Sequence, residues 1–264
     1  MKNDAPRSQR LTVGTLAALG VALFSLPLLA ILARVPWAGV WQQLGSAEVH
    51  DALRLSLISS LSALLCAAAF GLPIAVWLAS GRSPLRTAAR IVVTLPIVLP
   101  PVVAGVALLL AFGKNGLIGS VLDRWFGLQV PFTTFGVILA AAYMGMPFFV
   151  LSTEAGLRSF DRRYLEVAAT LGAGPWRRFL TITLPGIGPA LRTGALLCWA
   201  RALGEFCATQ TFAGNLAGTT RTMPLLCNLA LEFDPNLAIS LSLILTSVSI
   251  GVLFLLRHGW QGQR

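Results

Sequence analysis

Arg201 and Glu205 stand four residues apart in W-A-R-A-L-G-E-F, inside an otherwise apolar run. Four residues make about one helical turn, so the two side chains share a face and reach each other. Charges in such a run are costly and are kept for pairing or for function. Two readings stay open: an ion pair that fixes helix packing or a dimer seam, and a pathway-facing pair near a gate. Further on, Gly214, Asn215, Gly218, Thr219, Thr220 and Thr222 crowd into one turn. It is rich in backbone donors and hydroxyls of the kind that hydrogen-bond an oxyanion, and a flexible loop is the plainer reading. Other chemistry finds little support. Cys66, Cys198, Cys207 and Cys227 show no C-x-x-C spacing, and His50 and His258 have no partner motif, which argues against metal and disulfide sites. The only Gly-Lys pair, Gly113-Lys114, is followed by Asn115, so no phosphate-cradling G-x-x-x-x-G-K-[ST] loop exists. No convergent set of nucleophile, acid and base emerges, and no catalytic site is expected.

The elements that must position these residues follow from composition. Of 264 residues, 56% are hydrophobic and 11% charged, against about 25% charged in soluble domains. Six apolar runs reach the length that crosses hydrocarbon, about 20 residues: Leu11 to Ala33, Ala52 to Ser80, Ile91 to Gly113, Thr134 to Thr153, Gly188 to Ala213, and Leu237 to Leu256. They are read as helices, because lipid offers no partner to an open sheet edge. The first follows Lys2, Arg7 and Arg10, as a signal peptide would. It exceeds the roughly 7–15 apolar residues of a signal segment and is read as an uncleaved helix. In the third, Pro96, Pro100 and Pro101 remove backbone donors and disfavour helix at the residue before each, predicting a bend that is either a static kink or part of a pathway. The expected fold is an all-α integral membrane protein, a single domain over 1–264 with about six transmembrane helices.

Charge sets the orientation. Fourteen of the twenty Lys and Arg residues fall on the side holding both termini, five on the other, and Arg201 within a span. With the acids included, the first side carries the whole net charge of +10 and the other none. The positive-inside rule places both termini in the cytoplasm, facing anionic lipid headgroups. The basic balance therefore points to membrane lipid as its partner, not nucleic acid.

Between spans four and five runs a segment of about 34 residues, 154–187, far longer than the usual connection of about 4–6. D-R-R-Y-L-E-V-A-A-T-L predicts a helix with Leu165, Ala168, Ala169 and Leu171 on its apolar face. Gly172, Ala173 and Gly174 end it, and Pro175 opens a second short helix. Such a helix, held below the membrane by a turn, has the shape to press into a cleft of another protein. Glu166 has the simpler reading of a helix ion pair with Arg162 or Arg163, and Gly172 that of a helix stop.

Glu166, Val167, Ala168, Gly172 and then Ile182-Thr183-Leu184-Pro185 resemble the E-A-A-x3-G-x9-I-x-L-P signature of ABC importer permeases, with Val167 in place of the second Ala. The resemblance implies a coupling helix carrying Glu166, Ala168, Ala169, Gly172, Ala173, Gly174 and Pro175, docked on a separate cytoplasmic ABC ATPase that binds the ATP and magnesium. It implies no cofactor in this chain and an extracytoplasmic oxyanion-binding protein as further partner. Six spans suggest a homodimer with a heterodimer left open. The stretch Ala200 to Leu225 resembles molybdate and tungstate permeases, with Ala217 and Arg221 where Pro and Gln are expected. Sulfate permeases share much of it. The expected function is import of a tetrahedral oxyanion, molybdate first and sulfate or thiosulfate as the alternative. Gly214, Asn215, Thr220 and Thr222 are outer-loop candidates, and Arg201 and Glu205 pathway candidates. A passive anion channel, with Ser56, Ser59, Ser60 and Ser62 lining it, is the further rival.

Overall fold

A computed structural model describes residues 7–260, in which every regular element is a helix. Lys2, Asp4 and Arg264, which count among the charges on the side holding both termini, lie outside the described residues. The first helix, α1 (Arg7–Arg34), packs on the last, and its apolar window is unburied. A short α2 (Val40–Leu44) leads to α3 (Ala47–Cys66), whose N-cap Ser46 accepts from the Val49 N–H. One wider π-type turn, Ala67–Gly71, joins α3 to α4 (Leu72–Ala79), making one 33-residue span. The turn widens because Pro73, just beyond it, has no N–H for the carbonyl of Ala69.

The expected bend in span three is a full break. Helices α5 (Pro84–Val98) and α6 (Pro101–Phe112) are separated by Leu99 and Pro100, both extended, with ψ of 136° and 130°. Each immediately precedes a proline, whose ring disfavours the helical conformation there. Pro96, by contrast, stays within α5. A short helix, α7 (Gly119–Phe126), is followed by the centre of the bundle, α8 (Thr134–Ser159), capped by Thr133.

Helix α8 runs past the expected end of its span at Thr153. Glu154 is 4% exposed yet does not stop the helix, because Arg90 of α5 forks onto it and Arg158 Nε donates to its Oε1 at 2.8 Å. Arg158 also donates to the Leu78 carbonyl of α4 at 2.8 Å, so one carboxylate ties together three helices. The interhelical segment begins only at Phe160. It contains α9 (Arg163–Thr170) and α10 (Pro175–Arg178), and the second helix is not short: α10 passes through another π-type turn, Phe179–Thr183, into α11 (Leu184–Gly186) and α12 (Gly188–Leu203). Pro185 stands to that turn as Pro73 does to the first.

Span five is likewise interrupted, α13 (Cys207–Ala213) following α12 after Gly204–Phe206. An unexpected helix, α14 (Met223–Phe233), then turns through Asp234 into α15 (Pro235–Trp260), which contains the sixth span. Met223, Leu226 and Ala230 of α14 pack with Ala238 and Leu241 of α15 and with Val49 and Ala52 of α3.

Helices α8 and α12 run antiparallel at backbone contact. A Cβ built on Gly145 would lie 2.9 Å from the Cys198 carbonyl, and one on Gly194 3.1 Å from that of Phe149. On Gly156 it would lie 2.4 Å from the Ala190 Cβ. Gly156→Ala is accordingly expected to lower stability by roughly 1–3 kcal/mol through overpacking. Gly20→Ala on α1, with nothing within 4 Å among the described residues, is expected to leave stability unchanged or raise it by up to about 1 kcal/mol through helix propensity. Thermal unfolding of the two detergent-solubilised variants reads the contrast.

Candidate functional site

Helix α9 hangs below the bundle between two loops. Asp161 Oδ1 accepts from the Arg163 N–H at 3.0 Å at its start, and Glu166 sits in its first turn, where a carboxylate favours the helix dipole. Its end is a Schellman turn. Gly172 has φ of +78°, its N–H donates to the Ala169 carbonyl and that of Ala173 to the Ala168 carbonyl, both at 3.0 Å. The left-handed conformation strongly favours glycine here. Gly174 is extended and Pro175 occupies the first turn of α10. Arg178 Nη1 returns to the Leu165 carbonyl at 3.3 Å, fastening α9 to α10.

The outward face of α9 differs from the expected one. Ala168 is buried and Leu165 half-buried, both turned towards the protein's own chain. Tyr164, Val167 and Leu171, three and four residues apart, are 63%, 60% and 81% exposed and form one apolar stripe. With Asp161, Arg163 and Ile182 they border a cleft of about 650 Å³. Glu166, Ala169, Gly172, Gly174 and Pro175 are exposed, and Ala173 is half-buried. Among the described residues Glu166 forms no ion pair with Arg162 or Arg163. Val167, the residue that departs from the E-A-A signature, belongs to the exposed stripe. The i, i+3, i+7 spacing was its signal.

Arg201 and Glu205 do meet, at the break in span five. Glu205 is 3% exposed. Its Oε1 accepts from the Ala208 N–H at 2.8 Å, and its Oε2 lies 2.5 Å from Arg201 Nη1. The carboxylate therefore does two jobs. It satisfies a free donor at the start of α13, where the dipole favours an anion, and it neutralises a guanidinium at the end of α12. Nearby hydroxyls of α3 are also engaged, Ser60 accepting from Trp199 Nε1 at 3.1 Å and Ser56 from the Met223 N–H at 2.8 Å.

The outer turn is pinned by its own bonds. Thr220 is buried, and its Oγ1 accepts from the Leu216 N–H at 2.8 Å; Thr222 is buried at the N-cap of α14. Neither presents a hydroxyl to the outside. Gly214, with φ of +74°, and Asn215 are half-buried, while Gly218 and Thr219 are exposed. Thr134 Oγ1 donates to the Thr219 carbonyl at 2.9 Å. Arg221 donates to Asn215 Oδ1 at 2.9 Å and pairs with Glu48. The adjoining cleft of about 220 Å³ holds Glu48 and Asp51 beside that single Arg221. Two carboxylates against one guanidinium make this mouth a poor resting place for an anion.

Residues 71–264 match the family described as binding-protein-dependent transport system inner membrane component. The chain is 41% identical over 233 residues to the molybdenum transport system permease protein ModB of Mycobacterium tuberculosis, covering 88% of each. It is 34% identical over 260 residues to the sulfate transport system permease protein CysT of Escherichia coli, covering 95% of this chain and 94% of that one. Its fold is similar to a chain in the crystal structure of a bacterial alginate ABC transporter in complex with an alginate pentasaccharide-bound periplasmic protein. There the TM-score is 0.74 at 18% identity, covering 96% and 94%.

Glu205→Ala removes the cap of α13 and leaves Arg201 uncompensated, an expected loss of about 1–2 kcal/mol or more. Glu205→Gln retains an acceptor for the Ala208 N–H and loses less. Thermal midpoints of the two purified variants, compared with the parent, measure the difference.

Proposed function

The chain belongs to the family of binding-protein-dependent transport system inner membrane components, and from that premise we propose that it is the permease subunit of an ATP-driven importer of molybdate. Identity to a molybdenum permease exceeds that to a sulfate permease, which favours molybdate over sulfate as cargo; sulfate is the second reading. A separate cytoplasmic ABC ATPase holds the ATP and magnesium. An extracytoplasmic binding protein delivers the oxyanion, and two copies of the chain enclose the pathway. Both termini lie in the cytoplasm.

The observation that carries the mechanism is the exposed stripe Tyr164, Val167 and Leu171 on a helix whose ends are clamped. Apolar side chains presented below the membrane have their natural complement in a cleft of the ATPase. Force applied there has a stiff route upward. The Schellman turn and the Arg178 bond join α9 to α10, and α10 to α12 continue with little interruption over residues 175–203, about 40 Å at 1.5 Å per residue. The route ends at Gly204, where Arg201 and Glu205 hold the two halves of span five together. We assign this junction as the hinge that opens and closes the pathway, which makes the ion pair both structural and gating. Selectivity resides mainly in the binding protein, consistent with the acidic outer mouth around Glu48 and Asp51.

The complex reconstituted with its ATPase and binding protein tests the assignment across molybdate, tungstate, sulfate and phosphate. Stimulation of ATP hydrolysis by molybdate or tungstate alone is expected. Stimulation by sulfate alone transfers the cargo assignment, and failure to assemble with any ABC ATPase overturns the importer. Gly172→Val in the same complex forces a branched residue to positive φ, at about 1–2 kcal/mol. Assembly is expected to persist while uptake and stimulated hydrolysis fall at least about tenfold, a drop equivalent to ~1.4 kcal/mol; unchanged uptake would rule out the coupling role.

A further inference from the structure

At the end of the bundle that carries α9, a second cleft lies beside the α4–α5 turn, away from the exposed stripe. Its volume is about 380 Å³, and Gly81, Arg82, Arg86, Thr87, Arg90 and Arg158 line it. Four guanidiniums share one nearby carboxylate, Glu154, which Arg90 and Arg158 already occupy. Among the described residues no carboxylate pairs with Arg82 or Arg86. Assembling three uncompensated positive charges in one recess is unfavourable unless an anion joins them.

The recess is built rather than incidental. Arg86 lies over the Trp77 ring, its guanidinium carbon 5.7 Å from the centroid, and its buried Nε has no hydrogen-bond partner among the described residues. A Cβ on Gly81 would come within 2.4 Å of Arg86 Nη1, so the glycine makes room for the guanidinium to fold back over the turn. Ser83 caps α5, accepting from the Arg86 N–H at 3.3 Å, and the positive end of that 15-residue helix adds to the field. Planar guanidinium forks match a tetrahedral oxyanion. Leu85 and Ile91 on α5 are 69% and 61% exposed, and Trp77 40%. An apolar margin beside a cationic recess suits a headgroup whose acyl chains lie along the helix.

We propose that this cleft binds a tetrahedral oxyanion, presented as the phosphate diester of an anionic phospholipid. Arg82 and Arg86 grip the phosphate, Trp77 holds Arg86 in place in the space that Gly81 leaves, and Glu154 keeps Arg90 and Arg158 at the floor. The site is distinct from α9 and needs no transport cycle, so its test is separate from that of the importer.

The full chain, purified in mild detergent, is assayed by native mass spectrometry for retention of phosphatidylglycerol against phosphatidylcholine. A delipidated sample is assayed by equilibrium dialysis with radiolabelled inorganic phosphate. Arg82→Gln/Arg86→Gln is expected to lower phosphatidylglycerol retention at least about tenfold. Arg82→Gln alone, at an exposed position and without risk to folding, lowers it severalfold, and Arg124→Gln on the opposite face leaves it unchanged. Loss of inorganic phosphate binding in the same variants, with lipid retention unaffected, assigns the cleft to a free oxyanion and upholds the chemistry. Equal binding by parent and both variants in both assays overturns the proposal.

Discussion

The close approach of α8 to α12 is the contact on which the remaining geometry depends. Lipid tails are as apolar as leucine, so helices in a bilayer gain little by hiding apolar side chains from one another, and backbone surfaces must come together instead. Gly145, Gly156 and Gly194 supply that approach at three levels along the pair. Once α12 is laid against α8, α3 and α4 fill the next groove. Ala63 meets Ala141, Ala142 and Ala202, and Ala75 and Leu78 meet Val150. The segment that carries α9 then has both ends anchored, one where α8 finishes and one where α10 begins.

Proline distributes the compliance of this scaffold. Where one proline follows a helical turn, as at Pro73 and Pro185, the ladder widens locally and the helix continues. Where prolines are adjacent, as at Pro100 and Pro101, the preceding residues leave the helical region and the span divides. The same residue type thus produces a stiff strut in one place and a joint in another, according to its spacing. The strut links α9 to the membrane, while the division in span three lies beside α13, whose own start is a joint: Gly105 of α6 approaches Thr211 so closely that a Cβ would lie 2.6 Å from the threonine Cβ.

Two buried carboxylates hold these parts in register. Glu154 and Glu205 each have an arginine one turn away, but their second partners differ: a guanidinium on another helix for Glu154 and a helix N-terminus for Glu205. The first arrangement joins elements and leaves cationic charge at the end of the bundle that carries α9, a charge that suits anionic headgroups. The second spans a break. A buried carboxylate without such partners would carry a large desolvation penalty, so both sites depend on their neighbours remaining in place.

Local chemistry in the chain already determined the helical class, the approximate spans, a bend at the prolines of span three and the turn at Gly172, because each follows from backbone hydrogen bonding, hydropathy or steric limits within a few residues; that the bend is a full break was seen only in the structure. Arg201 and Glu205 could be paired from their spacing alone. The burial of Ala168, the outward stripe through Val167, the internal use of Thr220, the continuation of α8 through Glu154 and the extra helix at Met223–Phe233 were decided only by tertiary structure. A helical period defines two faces without saying which one the rest of the protein covers, and a charged residue ends or continues a helix according to partners that arrive from distant sequence. Arg90 reaches Glu154 across 64 positions and Ser56 reaches Met223 across 167; no local pattern encodes that meeting.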